Sequence, residues 1–202
     1  MTILGITGPT GSGKTTFLRR VEARGGCVLD LDAVYHALLQ TDRELLEALD
    51  ARFPGVIQNG VLDRKALGKI VFGDPAALED LNRITGTYIL AETDRRLAEA
   101  ERNNLPLAAI DAINLLEGEL PERCQATVAI VAPPELRIQR IMARDNISEE
   151  YARLRVSAQQ PNEYYAQRCS YTLVNDAATE EAFAAQCDAL LDTILDHAAE
   201  RA

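Results

Sequence analysis

Gly8-Pro9-Thr10-Gly11-Ser12-Gly13-Lys14-Thr15 is a glycine-rich stretch ending in a lysine and a hydroxyl residue, and it follows directly on the apolar Thr2-Ile3-Leu4-Gly5-Ile6-Thr7. Glycines let the backbone curl until successive N–H groups face one anion. Lys14 can then reach the β- and γ-phosphates of a nucleoside triphosphate, and the Thr15 hydroxyl can ligate Mg²⁺. The helix expected from Thr15 to about Glu22 adds the positive end of its dipole, so the phosphate-binding candidates run from Gly8 through Thr16. The alternative is a glycine-rich turn without chemistry. Placement between an apolar strand and a helix favours the phosphate loop.

Three further groups could act on what such a loop holds. Asp32 follows the apolar Val28-Leu29, at the end of a second strand, where open α/β sheets place their ligands. If that strand neighbours the first, its carboxylate can take the proton of a hydroxyl attacking the γ-phosphorus. Asp30 would share its face, but Asp32 is nearer the ligand edge. Capping of the helix Ala33-Leu39 is the other role open to Asp32. Asp111 closes the apolar run Leu107 to Ile110 and has the form of a carboxylate that holds Mg²⁺ through water; a plain turn residue is the alternative. Arg137, Arg140 and Arg144 recur at helical spacing, so one face carries three guanidiniums suited to clamping phosphate. Pairing with Glu135, Asp145 and Glu149 would instead make that stripe a solvated face. His36, one turn after Asp32, could reach the same place, although no spacing supports a metal-ligand role.

The elements that must position these groups alternate between short β-rich runs and longer helical patterns, the signature of a parallel α/β sheet. Ile3-Thr7, Cys27-Asp30, Leu107-Asp111, Thr127-Val131 and Tyr171-Val174 predict five strands. Gly25-Gly26 closes the first helix. No strand is expected between Asp32 and Asn104; that stretch reads as several helices, broken at Phe53-Pro54-Gly55 and at Gly73-Asp74-Pro75, where Asp74 can cap the helix Pro75 begins. The Arg stripe and the helix introduced by Asn146-Ile147-Ser148 read as a lid hinged on the sheet. Phe183, Leu190, Leu191, Ile194 and Leu195 mark one apolar face of a last helix, about Thr179 to Ala199.

The chain has 202 residues, within the range of one domain with room for an insertion, and a formal net charge of −10. That charge argues against a nucleic-acid or anionic-membrane surface, which would need a basic patch. Cys27, Cys124, Cys169 and Cys187 are scattered without a C-x-x-C pair, and no secretion signal precedes them, so they read as reduced thiols of a cytoplasmic protein. No apolar run approaches the ~20 residues of a membrane span.

The order of these motifs resembles dephospho-coenzyme A kinase. The resemblance rests on the glycine loop, Asp30-Leu31-Asp32 with His36, Gly60-Val61-Leu62-Asp63-Arg64, Ile110-Asp111-Ala112 before Leu115-Leu116-Glu117, Arg140-Ile141-Met142-Ala143-Arg144-Asp145, and Tyr171-Thr172-Leu173-Val174-Asn175. It spans nearly the whole chain. It implies an α/β fold: a five-stranded parallel P-loop kinase core (about 1–31, 105–133 and 168–202), a helical acceptor-binding insertion (about 32–104) and an Arg-bearing lid (about 134–167). It further implies ATP and dephospho-CoA as substrates, Mg²⁺ as cofactor, and a cytoplasmic monomer or weak homo-oligomer. Asp32, Lys14 and Arg140 would be catalytic, Gly8 to Thr16 and Arg144 would bind ATP, and Thr15 with Asp111 would hold the metal. Two positions depart from the family pattern on the acceptor side. Gly86-Thr87 stands where His-Pro is usual, and Ile113-Asn114 replaces a usual proline.

Overall fold

The computed structural model describes residues 1–200. In chain order the elements are β1 (Thr2–Thr7), α1 (Lys14–Ala23), β2 (Cys27–Asp30), α2 (Leu31–Thr41), α3 (Arg43–Arg52), β3 (Ile57–Gln58), β4 (Val61–Leu62), α4 (Arg64–Val71) and α5 (Pro75–Arg102). There follow β5 (Leu107–Asp111), a 3₁₀ turn (Leu120–Arg123), β6 (Ala126–Val131), α6 (Pro134–Asp145), α7 (Glu149–Ser157), α8 (Asn162–Ala166), β7 (Tyr171–Val174) and α9 (Glu180–Ala199). The chain divides into two compact units, Met1–Leu29 with the residues from Ala100 on, and Asp30–Glu99.

Five strands form one parallel sheet in the order β2-β5-β1-β6-β7. The central strands read as unbroken apolar runs because both their faces are covered. On one face Phe17, Leu18 and Val21 of α1 meet Phe183, Cys187, Leu191 and Ile194 of α9 over Leu4, Ile6, Val128 and Ile130. The other face buries Ala129 and Val131 beneath Tyr165 of α8. Helices α1 and α9 are also joined at their rims, where Arg20 and Arg24 pair with Asp188 at 2.9 and 3.3 Å. A third cluster, Ile138, Ile141 and Ala152, fastens α6 to α7. The strand order does not meet the condition set for Asp32. β2 does not neighbour β1; β5 lies between them, which separates the two by two strand spacings, about 10 Å.

The second unit is helical, as its sequence predicts, with one exception. Ile57↔Leu62 and Gln58↔Val61 pair as a two-stranded antiparallel hairpin, where no strand was expected. The Asn59-Gly60 turn explains it: φ is 53° and 77° at these residues, both positive as a type I′ two-residue hairpin turn requires. Asp74 does cap α5, accepting from the N–H groups of Ala76 and Ala77 at 2.9 and 3.3 Å. That helix then runs 28 residues, straight through Gly86-Thr87. A proline at that point would remove a helical donor and clash with the preceding turn. Thr87 instead turns its hydroxyl back to the Arg83 carbonyl at 3.1 Å.

Candidate active site

Between β1 and α1 the chain makes the turn that the glycines predict. Gly13, at φ 105°, is the N-cap of α1 and supplies no side-chain hydrogen bond, so the first N–H groups of the helix are left for a ligand. A methyl group on Gly8 would run into the Ile130 carbonyl oxygen, which is why the loop can lie so close to β6. Lys14 extends back along the loop and its Nζ donates to the Gly8 carbonyl at 2.8 Å. The Ser12 hydroxyl is buried with no hydrogen-bond partner among the described residues. A buried polar atom left this way costs about 1–3 kcal/mol unless something arrives to satisfy it. The loop thus gathers amides, an ammonium and a waiting hydroxyl, all suited to a polyphosphate.

Helix α6 supports this loop from outside. Its arginines divide by orientation, which spacing alone does not reveal. Arg137 is only 2% exposed, with Nε on the Thr10 carbonyl at 3.0 Å and Nη2 on Gln159 Oε1 at 2.6 Å. Arg140 is half-buried and donates to the Gly11 carbonyl at 3.3 Å and to Asn175 Oδ1 at 3.1 Å. Burial lowers the pKa of both guanidiniums, since removing water disfavours the charged form. Arg144 faces outward and pairs with Asp145 at 2.7 Å; Arg155 reaches the same carboxylate at 2.5 Å, and the two hold Asp145 well below the usual carboxylate range. Asn175, beyond β7, completes the support, its Nδ2 donating to the Ser12 carbonyl at 2.9 Å.

The carboxylates sort just as clearly. Asp111 ends β5, level with Ile6 of β1, so it lies at the ligand edge beside the strand that feeds the loop. The Thr15 hydroxyl is exposed in the first turn of α1. Both are hard oxygen donors of the kind Mg²⁺ accepts, and Mg²⁺ keeps most of its waters, so no denser cluster is required. Among the described residues no group of three or more His, Cys, Asp or Glu could hold a metal. In the second unit, Asp30 is the N-cap of α2, its Oδ1 accepting from the Ala33 N–H at 3.1 Å. Capping therefore falls to Asp30 and not to Asp32, whose side chain is exposed in the first turn. His36 Nδ1 lies 2.7 Å from the Asp32 carbonyl oxygen.

Residues 2–181 match the family model described as dephospho-CoA kinase. The chain belongs to the dephospho-CoA kinase family. It is 34% identical over 183 residues to the dephospho-CoA kinase of Geobacter sulfurreducens, covering 90% of this chain and 93% of that one. A solved structure from Thermus thermophilus is 35% identical, covers 95% of this chain and 97% of its own, and superposes with a TM-score of 0.72. Dephospho-CoA kinase from Campylobacter jejuni, at 26% identity, gives a TM-score of 0.59 over 96% of this chain and 97% of that one. Shikimate kinase from Acinetobacter baumannii, 20% identical with a TM-score of 0.52, shares the fold. The family reaction is the ATP-dependent phosphorylation of dephospho-CoA to CoA.

The sequence pattern does not single out Gln159, and Asn175 enters it only as a mark of the dephospho-CoA kinase family; both bond to the loop. Neither has a charge or a spacing that signals chemistry, and both reach the loop only because β7 and the α7–α8 bend return to it. The departure at Ile113 also gains a place: its carbonyl accepts from the Thr7 hydroxyl at 3.1 Å. Asn114, Glu117, Gln159 and Tyr164 line a cavity of about 190 Å³ beside it.

Proposed function

We propose that this chain transfers the γ-phosphoryl group of ATP to the ribose 3′-hydroxyl of dephospho-CoA, giving CoA and ADP. The observation that carries the reading is the loop itself: an α1 N-terminus without a side-chain cap, Lys14 beside it and a buried Ser12 hydroxyl with no partner among the described residues. Amides at the helix start and Lys14 hold the β- and γ-phosphates and stabilise the charge that builds on them. Thr15 and Asp111 would hold Mg²⁺, which when bound neutralises phosphate charge. Asp32, which the family resemblance and not strand adjacency marks as the base, takes the proton of the attacking hydroxyl as its oxygen bonds to the γ-phosphorus and the bond to ADP breaks. No covalent enzyme intermediate is needed. Arg140, drawn against the loop carbonyls, adds positive potential from behind, and Arg144, exposed and paired with Asp145, would bind the nucleotide by exchanging that partner.

The net charge of −10 speaks against nucleic-acid partners, and the reading places the chain in the cytoplasm as a monomer or weak homo-oligomer. No helix among the described residues is long and apolar enough to cross a membrane. The direct test is ADP release from ATP, with dephospho-CoA, adenosine or no acceptor. Release dependent on dephospho-CoA is expected. Equal release with adenosine would point to a different acceptor, and none with either to a nucleotide-binding protein without transfer.

A further inference from the structure

We propose that Gln159 and Arg137 form a latch that sets the geometry of the phosphate loop at its apex, which makes Gln159 a positioning residue for ATP. The proposal rests on the kinase reading above and deepens it. Thr10 occupies the loop apex, and its backbone and hydroxyl are held by this pair. Its N–H donates to Gln159 Oε1 at 3.0 Å, its hydroxyl accepts from Gln159 Nε2 at 2.9 Å, and its carbonyl accepts from Arg137 Nε at 3.0 Å. Gln159 Oε1 also accepts from Arg137 Nη2 at 2.6 Å, so the two latch residues orient each other. With two donors converging on one amide atom and an acceptor at the other, the Gln159 amide has only one satisfied orientation.

The surroundings make the latch rigid on one side and adjustable on the other. Arg137 is buried and carries no ion pair with a carboxylate among the described residues; carbonyl and amide oxygens are its partners. A guanidinium presents its donors in a fixed fork, so it can hold both oxygens at once where a lysine could not. The α6 backbone is seated directly on the loop, since a methyl group on Gly11 would come within 2.9 Å of the Arg137 carbonyl oxygen. Gln159 instead sits half-exposed in the bend after α7. The segment 146–160 therefore reaches the loop through Gln159, and any movement of α7 is felt at Thr10. Phosphate affinity depends on amides fixed before the ligand arrives, because ordering them on binding would subtract from the affinity.

The test is calorimetric titration of ATP with Mg²⁺ into the wild-type chain, Gln159→Ala, Arg137→Lys, the double variant and Thr10→Val, each with its melting temperature. Gln159→Ala should weaken ATP roughly 5- to 20-fold, the loss expected for about two hydrogen bonds, while the KM for dephospho-CoA stays within about twofold. Thr10→Val keeps the shape but loses the hydroxyl acceptor, and should weaken ATP by a few-fold. The double variant should bind no worse than its weaker parent, because a latch broken at either residue is already open. ATP affinity unchanged in folded Gln159→Ala, or losses that add in the double variant, would overturn the latch. Failure of the wild-type chain to bind ATP would sink both this inference and the kinase reading, whereas ATP binding without transfer would sink the acceptor assignment alone.

Discussion

Two carboxylates two residues apart, Asp30 and Asp32, are given different tasks by where the strand stops. Because β2 ends at Asp30, that residue has extended φ and ψ and its side chain turns back onto the Ala33 N–H. Such a cap contributes about 0.5–2 kcal/mol. Asp32, already inside the helix, is relieved of that duty. Asp32→Asn keeps the volume and removes the proposed proton acceptor. Transfer to dephospho-CoA should fall roughly 10²- to 10⁴-fold in a steady-state assay, with melting temperature and ATP affinity unchanged. Normal turnover in that variant would show that positioning and electrostatics suffice without a base.

Among the elements, α5 shows how a mostly polar helix of 28 residues is held together. Glu92 accepts from Arg95 at 2.7 Å and from Arg96 at 2.7 Å, one helical turn further along. Its pKa is lowered from 4.5 to about 2, first by the Arg95 hydrogen bond and then, against some desolvation, by Arg96. A depressed carboxylate stabilises the folded state above its unfolded pKa, and the gain disappears as pH falls through the folded value. The stability difference between wild type and Glu92→Gln should therefore be constant above about pH 5 and should vanish between 4.5 and about 2. Urea denaturation across that range reads it directly. A difference that persists to the lowest pH would assign the stabilisation to packing of the side chain and not to its charge.

Over the whole molecule, the same burial that builds the core silences its thiols. Cys187 of α9 is fully buried against α1 and the sheet, and its thiol is pushed up to about 12; burial raises Cys124 to about 11 and lifts Cys27 and Cys169 as well. Since the thiolate is the nucleophile, all four cysteines should react with a disulfide reagent at pH 7 far more slowly than in the denatured chain. A cysteine that labels natively at the unfolded rate would mean that its part of the core opens readily. Saturating ATP should slow native labelling further if the loop and the β1–α1–α9 core stabilise together.

The sequence by itself determined the glycine turn between β1 and α1, the five strands to within a residue at their ends, and the cap at Asp74. These are local properties: glycine tolerance of positive φ, apolar runs covered on both faces, and a side chain bonding its own backbone. Even the hairpin is encoded locally, in Asn59-Gly60, but each of its strands is only two residues long, too short for an alternating pattern to show. What only the tertiary structure decided is which distant groups meet. Helical spacing places Arg137, Arg140 and Arg144 on one stripe, but only the packing of α6 on the loop buries Arg137, turns Arg140 to the loop carbonyls and leaves Arg144 to Asp145. The order β2-β5-β1, which brings Asp111 and not the end of β2 beside the loop strand, likewise follows from how crossovers stack helices on a sheet, and no local pattern encodes it. Gln159 is the plainest case, an uncharged residue whose role exists only because Thr10 folds against it.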